Sequence, residues 1–337
     1  MIVIDGAEGE GGGQVVRNAC ALSLVTGTAV RITNIRAKRS KPGLMRQHVT
    51  AIEAACAIGN ATCEGLVVGS CDLTFRPGRV VAGDYRFSVG TAGSTGLVLQ
   101  TVLMPLLLAD APSRLVLEGG THNMLAPPFE FIDRCFLPVV RRMGGQVEAR
   151  LIRHGFYPRG GGRIEVDITP GSLQPIACLT RGAPVSVSAC ALIAALPLSI
   201  AEREIAMVRK AFDWSDRECF VRELPVDQGP GNILLLEARF EQATEIVSGF
   251  AQLGVTAERV AKTAIGRMRG YLACDAFAGP YLADQLLLPM ALAGGGAFTT
   301  VKPSEHARTA AAVIERFTGR RTRFVQQAGG THAVTIA

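Results

Sequence analysis

The chain has 337 residues, room for about two domains, and its 48% hydrophobic, 19% charged and 6% aromatic composition excludes a disordered chain and a coiled coil. The net charge of +6 is mildly basic and compatible with an anionic ligand, but there is no basic tail. Residues 1–5 lack the basic start of a signal peptide, and the longest apolar stretches, 102–109 and 189–198, each carry a proline and fall short of the about 18 residues a membrane span needs.

In chain order, Gly9, Gly11, Gly12 and Gly13 surround Glu10 and lead into a predicted helix over 14–25. Such glycines let backbone N–H groups face an anion at a helix N-terminus, and Glu10 among them suits a divalent cation; a solvated loop acid is the alternative. No Gly-Lys-Ser/Thr follows, so the run is not a P-loop. A strand over 29–35 leads to a loop over 36–43 carrying Arg36, Lys38, Arg39 and Lys41, then to a helix over 44–58 with Arg46, Gln47 and His48 near its start. Arginine forks suit phosphate, and Arg17 on the first helix is placed to join them; a solvated charged loop is the alternative.

A strand over 85–89 precedes Ser94, which is expected to cap a helix over 94–108 that carries Gln100. A strand over 114–118 and a loop over 119–128 with Thr121, His122 and Asn123 lead to a helix over 129–143, and a strand covers 163–168. Residues 185–191, 219–224, 232–240 and 245–250 read as strands, with helices over 199–212 and 257–272. Next come Tyr281, suited to stacking on a base, and Asp284, suited to a ribose or an imidazole unless it is only an acid favoured by the helix dipole. A helix over 283–293, a strand over 297–301 and a loop over 302–305 lead to a helix over 306–317 that opens on His306. A neutral imidazole there, flanked by Lys302 and Arg308, suits attack on phosphorus; a helix-start histidine with no chemical role is the alternative.

Nine cysteines with no CxxC pair point to reduced, mostly buried thiols in a cytoplasm, and for the same reason no zinc site is expected. The 38 glycines, in short runs without a collagen period, read as tight turns and ligand loops.

The order helix, strand, loop, helix occurs three times, with strand starts at 29, 114 and 297. The intervals are 85 and 183; with about 95 residues, 181–275, taken as an insertion, the second becomes 88. The predicted fold class is therefore α/β of the α+β type. Three pseudo-symmetric repeats form a large domain from 1–180 and 276–337, with a smaller inserted α/β domain at 181–275. The three polar loops are expected to share one cleft.

The motifs together resemble the RNA 3′-terminal phosphate cyclase family. They are the runs 5–14 (DGAEGEGGGQ), 35–44 (IRAKRSKPGL), 46–48 (RQH), 90–94 (GTAGS), 97–100 (LVLQ), 154–158 (HGFYP), 227–232 (DQGPGN) and 281–285 (YLADQ). As an ordered set spanning nearly the whole chain they are highly specific, though each alone is weak. Two stretches depart from the family pattern: Ser304-Glu305-His306, where a less acidic neighbour is expected, and Thr121-His122-Asn123, where an aspartate is expected after the threonine.

The resemblance implies three β-α-β-α-β-β repeats with an inserted domain. It implies ATP-driven conversion of an RNA 3′-terminal phosphate to a 2′,3′-cyclic phosphate, releasing AMP and pyrophosphate. His306 looks like the nucleophile that takes the adenylyl group, with Glu10 as the Mg²⁺- or Mn²⁺-contacting acid and Arg17 as a further catalytic group. Gln100, Pro128, Phe131, Tyr281, Leu282, Ala283, Asp284 and Gln285 look like the nucleotide site, with Tyr281 and Phe131 flanking adenine. Arg36, Arg39, Arg46 and Gln47 look like contacts to phosphate and the RNA end. Asp284 is left between orienting His306 through Nδ1 and holding the ribose. The implied partner is an RNA 3′-phosphate end and not a membrane, and a homodimer is compatible.

The main alternative is a catalytically silent relative in RNA processing, but such relatives lack the histidine that this chain keeps at 306. Enolpyruvyl transferases share a similar repeat body but need two comparable large domains. A purely RNA-binding platform needs more aromatic residues than 6% with one tryptophan.

Overall fold

A computed structural model describes residues 1–337. The first unit runs β1 (Ile2–Asp5), α1 (Gly13–Thr26), β2 (Val30–Thr33), α2 (Arg46–Gly59), β3 (Thr62–Glu64) and β4 (Leu73–Arg76). The second runs β5 (Asp84–Ser88), α3 (Thr95–Leu107), β6 (Ser113–Gly119), α4 (Phe129–Phe131), a π turn (Ile132–Phe136), α5 (Leu137–Arg142), β7 (Gln146–Arg153) and β8 (Gly162–Thr169). A third opens with β9 (Ala177–Cys178). The chain then leaves for β10 (Pro184–Ala194), α6 (Ser199–Phe212), β11 (Cys219–Glu223), β12 (Gly231–Phe240), β13 (Thr244–Phe250) and α7 (Ala257–Leu272). It returns through α8 (Pro280–Leu292), β14 (Gly296–Thr300), α9 (Glu305–Thr318), β15 (Thr322–Gln326) and β16 (His332–Ile336).

Three sheets have one wiring. Their orders are β1-β2-β4-β3, β5-β6-β8-β7 and β9-β14-β16-β15. In each, the first pair is parallel and the other two pairs are antiparallel. A parallel pair needs a crossover, which α1, α3 and α8 supply. The α/β fold of repeated units is thus present, with the β-α-β-α-β-β order. The sequence pattern had left out β1, β3, β4, β7, β9, β15 and β16. Most are two to five residues long, too short for alternation to register. β7 is longer, but it is a polar edge strand.

The fourth sheet, β11-β10-β12-β13, is covered by α6 and α7 and has its own core around Ala189, Ile205, Leu234 and Met268. Arg181 clasps its two ends: Nη1 donates to Tyr271 O at 3.0 Å, and the guanidinium lies 4.3 Å over the Phe240 ring. Glu245 on β13 reaches back, accepting the Gly279 N–H at 3.0 Å where α8 begins. The larger core joins the other three units, with α1 packed against α2, α3 and α9. That packing brings residues near positions 10 and 306 together. All nine cysteines are unpaired, and only Cys71 is exposed. No helix is long and apolar enough to cross a membrane.

Candidate active site

The site is built on the glycine turn before α1. Gly9 and Gly11 take φ of 58° and 62°, in the left-handed region that favours glycine. At three of the four glycines a side chain would collide. A Cβ at Gly9 would meet Thr309 of α9, one at Gly12 the Glu10 carboxylate, and one at Gly13 the His48 ring of α2. The Glu10 N–H donates to Thr309 Oγ1 at 3.0 Å.

The Ser304 hydroxyl accepts the Ala307 N–H at 3.0 Å and starts α9, which sets His306 in the first turn. His306 Nδ1 lies 3.1 Å from Gln14 Oε1, and Nε2 lies 3.5 Å from Glu10 Oε1. An amide oxygen only accepts, so Nδ1 carries the proton and Nε2 the lone pair. Burial, and then the Arg39 and Arg17 charges, hold this imidazole below its ordinary range. It is neutral at pH 7, and its side chain is 45% exposed. Arg39 also pairs with the Glu10 carboxylate.

Arg17 and Asp284 act on each other electrostatically. Burial pushes Arg17 down to about 10 although Asp284 opposes this, and burial pushes Asp284 up to about 7 although Arg17 opposes it. The side chain that meets His306 Nδ1 is Gln14, not Asp284. Burial, then Arg17 and Arg36, push His48 down to about 3. Its Nδ1 accepts the Met45 N–H at 2.9 Å and caps α2.

Arg36, at φ 54°, turns into its own loop, donating through Nη1 to the Lys41 and Gly43 carbonyls at 2.7 Å each. Arg46 is exposed on the first turn of α2, and Gln47 Oε1 accepts the Ser94 N–H at 3.2 Å, tying the first unit to the second. Ser94 caps α3 as expected, accepting the Leu97 N–H at 3.4 Å, and Gln100 is half-buried on that helix. At the start of α8, Tyr281 is 48% exposed, Asp284 and Gln285 are half-buried, and Gln285 Oε1 has no partner.

Three expectations need correction. Phe131 is 2% exposed inside the main core, so its ring is not free to flank adenine. Leu282 and Ala283 are core residues too, and Pro128 is buried at the α4 cap. The second polar loop does not join the other two: Asn123 Nδ2 donates to Ala92 O, and His122 turns to Glu130. The cluster around His306 comes from the first and third units. Gln14, His48 and Thr309 had no assigned role. Gln14, on the first turn after a glycine run, carried the one readable signal; the other two act through contacts made only on folding.

The family model for RNA 3′-terminal phosphate cyclase matches residues 8–324. The chain is 50% identical over 317 residues to the RNA 3′-terminal phosphate cyclase of Ectopseudomonas mendocina, covering 94% of this chain and 92% of that protein. It is 48% identical over 318 residues to the protein of that name from Koribacter versatilis, covering 94% and 90%. The chain belongs to the RNA 3′-terminal phosphate cyclase family. The matched span contains every residue of the cluster around His306, as well as the fourth sheet, so the cyclase match rests on the whole architecture.

Proposed function

We propose that the protein converts an RNA 3′-terminal phosphate to a 2′,3′-cyclic phosphate, using ATP and releasing AMP and pyrophosphate. The carrying observation is His306, with its proton fixed on Nδ1 by Gln14 and its Nε2 lone pair free beside Glu10.

His306 Nε2 attacks the α-phosphorus of ATP, forming the P–N bond as the bond to pyrophosphate breaks. Nδ1 keeps its proton, and Gln14 Oε1 stabilises the positive charge that grows on the ring. An oxygen of the RNA 3′-phosphate then takes the adenylyl group and frees His306. The neighbouring 2′-OH closes on the activated phosphate and expels AMP; its intramolecular placement supplies much of that step's rate. A substrate lacking the 2′-OH cannot close the ring.

Arg39 and Arg17 supply positive charge around the reacting phosphates. Tyr281, Asp284, Gln285 and Gln100 face the nucleotide. Arg46 and Gln47 meet the RNA end, and Arg36 shapes the loop that presents Arg39. Glu10 fits Mg²⁺ or Mn²⁺ by donor chemistry, a hard carboxylate beside the site for the substrate phosphates; such an ion supplies charge neutralisation on those phosphates when bound. Residues 181–275 form a separate smaller unit, and unpaired thiols suit a reducing cytoplasm.

The test is incubation with α-labelled ATP and a divalent metal, without RNA. Wild type should retain alkali-stable, acid-labile label, and His306→Ala should retain none while keeping its fold. No label on a folded, ATP-binding wild type favours a silent RNA-processing relative.

A further inference from the structure

Away from His306, three buried side chains meet without serving the reaction: His122 after β6, Glu130 on α4 and His154 after β7. Each offers one donor atom, and the three atoms lie within 4.8 Å of one another. His122 Nε2 is 2.8 Å from Glu130 Oε2. The imidazoles of His122 and His154 stack at 5.1 Å.

The outer nitrogens are already held. His122 Nδ1 lies 2.7 Å from Thr121 Oγ1, which also accepts the Gly155 N–H at 2.9 Å. His154 Nδ1 lies 3.0 Å from Gln228 Oε1, an atom that also accepts the His154 backbone N–H at 3.1 Å. Because Gln228 Oε1 only accepts, the His154 proton sits on Nδ1 and the lone pair on Nε2. That Nε2 is sealed from solvent and has no partner. An orphaned buried acceptor of this kind costs about 1–3 kcal/mol. With the His122 proton on Nε2 the ring donates to Glu130 Oε2; with it on Nδ1, two lone pairs face each other, the arrangement a metal ion bridges. A metal-ligating histidine almost always has its other ring nitrogen held by an oxygen, as both rings do here.

We propose that His122, Glu130 and His154 form a metal-binding site, distinct from the one at Glu10, that takes one Zn²⁺ ion. Two imidazoles and a carboxylate suit zinc, with its fourth position left to water. Zinc bonds of about 2.0 Å place tetrahedral donors about 3.3 Å apart, so on binding the His122–Glu130 pair, now at 2.8 Å, opens by about 0.5 Å and the widest pair, within 4.8 Å, closes by at most about 1.5 Å. The ion replaces the proton between His122 and Glu130 and gives His154 Nε2 its partner. It ties the loop after β6 to α4 and to the end of β7, and through Gln228 to the segment entering β12. The expectation of no zinc site rested on cysteine spacing alone, and this site uses no cysteine.

The test uses untagged protein carrying Glu10→Gln, which removes the other candidate ligand, without nucleotide. After stripping with chelator, the protein is equilibrated with Zn²⁺ and bound metal is measured by mass spectrometry. One zinc per chain is expected, with at least tenfold weaker binding in His154→Gln and in Glu130→Gln. Co²⁺ in place of zinc should give the visible bands of a four-coordinate site. No zinc and no cobalt bands in the Glu10→Gln parent overturns the proposal, as does undiminished binding in both variants. The parent measurements decide the matter even if a variant fails to fold.

Discussion

Replacing Gln14 with leucine removes the acceptor on His306 Nδ1, 3.1 Å away, and keeps the volume. As the P–N bond forms, the imidazole gains positive charge and its Nδ1–H becomes a charged donor. A hydrogen bond to a charged group contributes about 1.5–3 kcal/mol, so adenylylation at saturating ATP should slow by about tenfold to a hundredfold. Gln14→Glu restores an acceptor and adds a negative charge that raises the imidazole pKa. It should recover part of the rate while moving the acid limb of the pH profile upward. The assay is single-turnover transfer of label from α-labelled ATP to the protein, without RNA, across a pH series. A purely structural role for Gln14 predicts no shift of that limb with Gln14→Glu. A wild-type rate in Gln14→Leu at saturating ATP refutes the assignment.

Arg39→Gln removes a charge that depresses the His306 pKa, so the acid limb of adenylylation, expected below pH 6.5 in wild type, should move toward 6.5; the pH–rate profile checks this. Gly13→Ala drives a methyl into the His48 ring, which the Met45 N–H holds at 2.9 Å, and should cost about 1–3 kcal/mol in urea unfolding. Glu204, buried against Asn232, is pushed up to about 7 by burial. A raised folded-state pKa means its contribution to stability is fully present below the unfolded value of about 4.5 and is lost as pH rises through about 7. Glu204→Gln should therefore gain on wild type between pH 5 and 8, by up to about 3 kcal/mol, in thermal melts at matched ionic strength.

The sequence by itself determined the repeats and their period, because strands starting at 29, 114 and 297 sit in strongly apolar helix–strand surroundings whose periodicity is local. It also placed His306 at a helix start and Glu10 in a glycine turn, since caps and glycines act within a few residues of themselves. Tertiary structure decided the rest. Gln14 reaches His306 across 292 positions only because α1 packs on α9. Phe131 and Tyr281 are both aromatic and both stand at helix starts, yet one fills the core and the other faces solvent. Arg36 and Arg39 belong to one basic loop, but a positive φ turns the first inward, while the second reaches Glu10. His122, Glu130 and His154 carry no shared spacing at all. Their meeting depends on β6, β7 and α4 converging, and a contact between distant segments leaves no periodic trace in the chain that makes it.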